Sequence, residues 1–203
     1  PRLLPDAPLN VEALRHFDAA IKYEVRDIKG QNIPISNASL TLSLDDRLLK
    51  LAPFNFDMAR GHVDSDIIIN ARDLRVVTDY DIRLSPTPMN RLLAGWGVEQ
   101  SGTSGTVKAR LKMKGVGNTV RDSLATSNGR IAVIMPKGEF WARNVQLSEL
   151  DGGVYVQRLL QKRLKDPVQI NCGLIAFTVR NGIAAADPIL IDTQKNVIAG
   201  RGG

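Results

Sequence analysis

The residues of this sequence that could do chemistry are few, and their spacing does not suit it. His16 and His62 are the only histidines, and neither has a partner at ligand spacing, so a His/Cys metal centre is not expected. Serines and aspartates are plentiful, but no Gly-x-Ser-x-Gly elbow singles out a nucleophile. No catalytic residue can therefore be assigned. Gly115-Val116-Gly117 stands between a strand pattern and a helix pattern, which is the setting of a dinucleotide fingerprint. The place of the third glycine is taken by Val120, and no ribose-binding acid follows convincingly, so a glycine turn opening into a helix is the better reading. The single cysteine, Cys172, excludes an internal disulfide. It lies in an apolar strand-like run and is expected to be a buried, inert thiol. The chain is thus expected to be no enzyme and to hold no metal or cofactor.

A different chemistry is offered by the stretch from Gln157 to Lys165, where Arg158, Lys162, Arg163 and Lys165 stand beside Val156, Leu159, Leu160 and Leu164. A basic amphipathic helix can lie on an anionic membrane surface. The same cations also suit a helix C-terminus whose leucines pack on a sheet, and packing is the favoured reading. The net charge of +6, from 27 Lys and Arg against 21 Asp and Glu, is a mild preference for anionic surfaces. Aromatic residues make up only 5%, too little for a base-stacking surface, and no nucleic-acid partner is expected.

Strands are the elements that must position these residues, because the dominant signal is alternation with period two. Ile21, Tyr23 and Val25 alternate with charged residues, and Leu40, Leu42 and Leu44 with Ser39, Thr41 and Ser43. Phe54, Phe56 and Met58 alternate with Asn55 and Asp57. After a turn at Arg60-Gly61, Val63, Ile67 and Ile69 oppose Asp64, Asp66 and Asn70. Tyr80, Ile82 and Leu84 oppose Asp79, Asp81 and Arg83, and Val107, Leu111 and Met113 oppose Lys108, Arg110, Lys112 and Lys114. Further strands are expected over Val168 to Arg180, over Ile183 to Asp192 after an Asn181-Gly182 turn, and around Val197.

Helices are fewer. One is expected after Asn10, through Val11 to Phe17. A second starts at Thr87-Pro88, with proline at the first helical position, and stops at Gly95. A third is opened by Asn118 or Thr119 and runs to Ala125. The longest covers about Ser148 to Lys165, with Pro167 closing it.

With 43% hydrophobic and 24% charged residues, the 203-residue chain has the composition of an ordinary globular protein. No apolar run approaches the ~18 residues of a membrane span. Consecutive strands joined by short turns predict a mainly β (α+β) fold: a curved, meandering antiparallel sheet, apolar on one side, with a few short helices packed on it or capping it. The chain opens at Pro1 with no legible signal peptide, and it is expected to be an excised or processed segment of a longer protein.

Three stretches taken together resemble the AsmA family of bacterial envelope proteins. The first is Leu48 to Phe56 followed by Gly61-His62-Val63. The second is Ser104-Gly105-Thr106-Val107 to Gly115, then Val120 to Leu124, Gly129-Arg130-Ile131 and Gly138. The third is Ile170-Asn171-Cys172, Phe177-Thr178-Val179, Asn181-Gly182, Ile191-Asp192-Thr193, Gly200 and Gly202. The resemblance spans roughly residues 20 to 203 and carries no catalytic motif. It implies one groove-forming β domain over 1–203, part of a periplasmic protein anchored in the inner membrane.

It also implies lipid handling: binding or conducting phospholipid or a similar amphiphile between membranes, in support of the outer membrane. The residues expected to line the groove are Ile21, Tyr23, Val25, Leu40, Leu42, Leu44, Phe54, Phe56, Ile67, Ile69, Ile82, Leu84, Val107 and Leu111. The alternative is a scaffold or assembly module, its apolar face filled by its own helices and its edges recruiting envelope proteins.

Overall fold

The computed structural model describes residues 18–28, 35–94, 103–140 and 168–202. Eleven strands and two short helices follow one another along the chain: β1 (Ala19–Ile28), β2 (Ile35–Asp45), β3 (Leu48–Met58), β4 (Gly61–Asn70), β5 (Val77–Pro88), α1 (Met89–Ala94), β6 (Ser104–Val116), α2 (Val120–Ala125), β7 (Asn128–Met135), β8 (Gly138–Phe140), β9 (Val168–Arg180), β10 (Ile183–Thr193) and β11 (Val197–Gly202). All eleven strands form one sheet, with β1 to β7 in sequence order and then β9, β10 and β11. Every pairing is antiparallel. β7 and β8 share one place between β6 and β9, interrupted at Pro136-Lys137. The meander that the alternation predicts is the meander that forms.

Three hairpins close through two-residue turns in which both residues have positive φ: Asp46-Arg47 at 41° and 61°, Ala59-Arg60 at 51° and 64°, and Asn181-Gly182 at 49° and 75°. This is the turn geometry whose twist matches that of the flanking strands. Gly61 therefore follows its turn, which is Ala59-Arg60, and begins β4. What it supplies is room, since a Cβ there would lie 1.7 Å from Thr87 Oγ1. Thr87 itself is fully buried in β5, where its hydroxyl donates to the Ser85 carbonyl at 2.9 Å. The expected helix start at Thr87-Pro88 is accordingly shifted: the strand runs through both residues and the helix begins at Met89.

Prolines mark three of the places where the strands bulge. Register shifts fall between Leu51 and Phe54, between Leu84 and Thr87, and between Ala186 and Ile189. Pro53, Pro86 and Pro188 lie within these three steps, and the Ala52-Pro53 and Asp187-Pro188 peptides are cis. A proline has no N–H to give to a ladder, so a bulge is where a strand can hold one. Each bulge inserts one residue, and it returns the next apolar side chain to the face that alternation alone would have taken it from.

The helices expected after Asn10 and over Ser148 to Lys165 lie outside the described residues. α2 forms as expected. Thr119 caps it, its Oγ1 accepting from the Asp122 N–H at 3.0 Å. Thr126 ties its end back to β6, accepting from the Val116 N–H at 2.8 Å and donating to the Val116 carbonyl at 2.6 Å.

Candidate functional site

Residues directly opposite one another in an antiparallel sheet share a face, so the register defines a surface. One cross-strand row runs Ile21, Leu42, Leu51, Ile67, Tyr80, Met113 across six strands. The next runs Tyr23, Leu40, Phe54, Ser65, Ile82, Leu111, Ile131, Phe177 across eight. A third joins Phe56, Val63, Leu84, Ala109, Val133 and Ile175. Leu44, Leu49, Ile69 and Thr78 run along one margin, and Val25 and Val107 complete the set. All the residues expected to line an apolar surface therefore stand on one face of the sheet. Ser65 interrupts its row with a hydroxyl that is already used, donating to the Phe54 carbonyl at 2.7 Å.

Burial on this face is uneven along the strands. Side chains at its margins are well buried, Leu44 at 3% exposed, Ile69 at 6% and Val107 at 7%, as are Val63 at 6% and Ser65 at 4% on β4. Between them Leu40, Leu42, Leu51, Phe54, Ile67, Tyr80, Ile82, Leu111 and Met113 are only partly buried, while Ile21 and Tyr23 at the β1 edge are exposed. Ile69 belongs to a packed cluster with Ala71 and Val76, against which Leu49 and Ile67 lean.

One margin is covered by α2. Tyr80 donates its phenol to Ser123 Oγ at 3.0 Å, and Ser123, Ser127 and Thr78 are buried there. The glycines of Gly115-Val116-Gly117 make this docking possible: a Cβ on Gly115 would fall 1.8 Å from the Ser123 carbonyl oxygen, and one on Gly117 would fall 2.5 Å from Asp122 Cβ. The pair thus supplies room for α2; the expected glycine turn does not open at Gly115-Val116, which still belong to β6. α1 packs on β5 and β6 where β5 ends, and its Met89 is buried.

The opposite face carries charge. Asp81 lies 2.9 Å from Arg110 and 3.1 Å from Arg83, and these hydrogen bonds, Arg110's first, hold its carboxyl below the usual carboxylate range. Lys114 pairs with Asp79 at 3.2 Å. His62 bridges two strands on this face, with Nδ1 2.6 Å from Asp57 and Nε2 3.4 Å from Asp64. The bond to Asp57 raises the pKa of His62, and the same bond, with the Asn37 amide at 2.8 Å, lowers that of Asp57. His16 lies outside the described residues.

Cys172 differs from expectation, because it is exposed. Asp192 opposes Cys172 but Thr193 opposes Ile170, so one extra residue is accommodated between them. That slip puts Ile170, 6% exposed, on the apolar face, while Cys172 stays with Leu174 on the other.

β7 and β9 extend the apolar surface through Ile131, Val133, Ile175 and Phe177, which alternation does not single out. Alternation is weak there because the opposite face is apolar too, carrying Ala132, Ile134, Leu174 and Ala176 at the intervening positions.

The model of the AsmA family matches residues 2–187. The chain belongs to the AsmA family. Among AsmA relatives it is similar to the AsmA family protein YhjG of Escherichia coli (strain K12), with 25% identity over 198 residues, covering 97% of this chain and 28% of that protein. The chain thus spans under a third of the length of this AsmA relative. No solved structure matches it. Among the described residues of this AsmA chain, no helix is long and apolar enough to cross a membrane.

Proposed function

We propose that this AsmA-family chain binds phospholipid or a similar amphiphile along the apolar face of its sheet, and that it serves a longer periplasmic protein, anchored in the inner membrane, that passes lipid between membranes. The observation that supports this is the burial gradient: large apolar side chains in the middle of the face remain partly open while the margins are packed. A surface left this way suits an acyl chain, which gains about 0.8 kcal/mol for each CH₂ it buries and needs no polar contact to be held. Headgroups would remain at the wet margin. Nothing in the process requires a bond to be made or broken, and the reading is non-enzymatic.

Native mass spectrometry of the purified chain tests it. Lipid carried through purification and released on activation is the expected result, and a chain free of lipid that also takes up none from detergent-solubilised phospholipid would overturn it.

A second reading is favoured by the sheet edges. β1 presents Ile21 at 53% and Tyr23 at 61% exposure, and β11 presents Val197 at 70%. Exposed edges accept further strands, as a scaffold for envelope proteins would require. The two readings part on whether lipid or a protein strand is retained.

A further inference from the structure

The charged face of the sheet is not uniform. From β3 to β5 it is acidic, with Asp57, Asp79 and Asp81 in ion pairs and Asp66 opposite Asp81. From β6 to β10 it becomes cationic and then largely apolar, with Asp192 held by the Asn171 amide. Lys112 stands directly opposite Arg130, a like-charge pair of the kind that destabilises a ladder. On its other side Lys112 opposes Asp81, but that carboxylate is already held by Arg110 and Arg83. Lys108, Lys112 and Arg130 therefore make no ion pair among the described residues, and all three are exposed. Two strand steps along, the same face carries Ile134, Leu174 and Leu190 in one cross-strand row beginning at Lys108. Ile134 is 37% and Leu190 40% exposed.

We propose that this face of β6 to β10 docks on an anionic phospholipid surface, with Lys112 and Arg130 against lipid phosphates and Ile134 and Leu190 in the headgroup–acyl boundary. Unmatched cations beside exposed aliphatic side chains are what such a surface selects: the charges are drawn to anionic headgroups and the aliphatic groups leave water. A phosphate between Lys112 and Arg130 also relieves their mutual repulsion, which no described residue does. Nucleic acid would satisfy the cations but leave the aliphatic row in water. The proposal concerns the face opposite the lipid-binding surface and does not depend on it.

Vesicle flotation of the whole chain tests it, using phosphatidylcholine vesicles with and without phosphatidylglycerol. Binding is expected only with phosphatidylglycerol, falling as salt is raised. Lys112→Gln with Arg130→Gln is expected to weaken it about thirty-fold, and Ile134→Ser with Leu190→Ser to weaken it separately. Neither variant should melt below wild type and both should keep fatty-acid uptake, which separates loss of docking from loss of fold or of the apolar face. The proposal is overturned if the wild-type chain ignores phosphatidylglycerol, if it binds both vesicles alike, if it binds duplex DNA in place of vesicles, or if the folded Lys112/Arg130 variant floats as wild type does.

Discussion

Gly115 of β6 lies directly beneath the carbonyl oxygen of Ser123 in α2, so closely that a Cβ on Gly115 would sit 1.8 Å from that oxygen. The contact is with backbone, which cannot rotate away as the end of a side chain can. Gly115→Ala should therefore lift α2 from the margin of the sheet and break the Tyr80–Ser123 hydrogen bond. The expected cost is about 1–3 kcal/mol, read as a lower midpoint in urea unfolding. A midpoint equal to wild type would show that α2 is not seated there.

Thr78 offers the opposite change. It is 1% exposed and its hydroxyl makes no hydrogen bond among the described residues. A buried hydroxyl without a partner is a standing cost, and valine has the same shape without it. Thr78→Val is expected to stabilise the chain by about 1 kcal/mol, and differential scanning calorimetry should show a higher Tm. A lower Tm would mean that the hydroxyl has a partner.

Cys172 should react readily and stoichiometrically with a thiol reagent under native conditions, because it is exposed. Cys172→Ser should leave stability within about 0.5 kcal/mol of wild type. Slow labelling that speeds up only on unfolding would return the thiol to the interior.

The His62–Asp57 bridge gives stability a dependence on pH. His62 is raised above 6.5, so its contribution is complete below 6.5 and is lost as pH climbs through the raised value. Asp57 is lowered below 3.8, so its contribution is present above 3.8 and is lost as pH falls through the lowered value. The pair is strongest between 3.8 and 6.5. His62→Ala should accordingly lower Tm more at about pH 5.5 than at about pH 9. The gap should be small, because both side chains are partly in water. Equal losses at the two pH values would exclude the bridge.

What was legible in the sequence depended on contrast between the two faces. Where one face is charged, as at Lys108 to Lys114 or Asp79 to Arg83, period two stands out and β1 to β6 are placed correctly. Where both faces are apolar, as in the Leu174 to Val179 run, the same rule fails to say which side chains face the surface. Bulges were the second blind spot. The slip beside Cys172 moves Ile170 to the face opposite that of Cys172, whereas simple alternation keeps the two on one face. The turn at Asn181-Gly182 announces itself by residue type, whereas Ala59-Arg60 adopts the same positive φ with neither glycine nor asparagine.

The most direct test of lipid binding compares Leu42→Asp with Ile69→Asp, measuring thermal unfolding and uptake of a fluorescent fatty acid together. Leu42 is partly open in the middle of the apolar face, so a carboxylate there can reach water but opposes an acyl chain. Ile69 is 6% exposed within the cluster with Ala71 and Val76, so the same change buries an unpaired charge. The expected cost for Ile69→Asp is on the order of 3–5 kcal/mol, with cooperative unfolding lost or sharply lowered. The lipid-binding reading predicts that Leu42→Asp melts close to wild type yet takes up no fatty acid. A Leu42→Asp chain that unfolds as Ile69→Asp does, together with no uptake by the wild type, would contradict it.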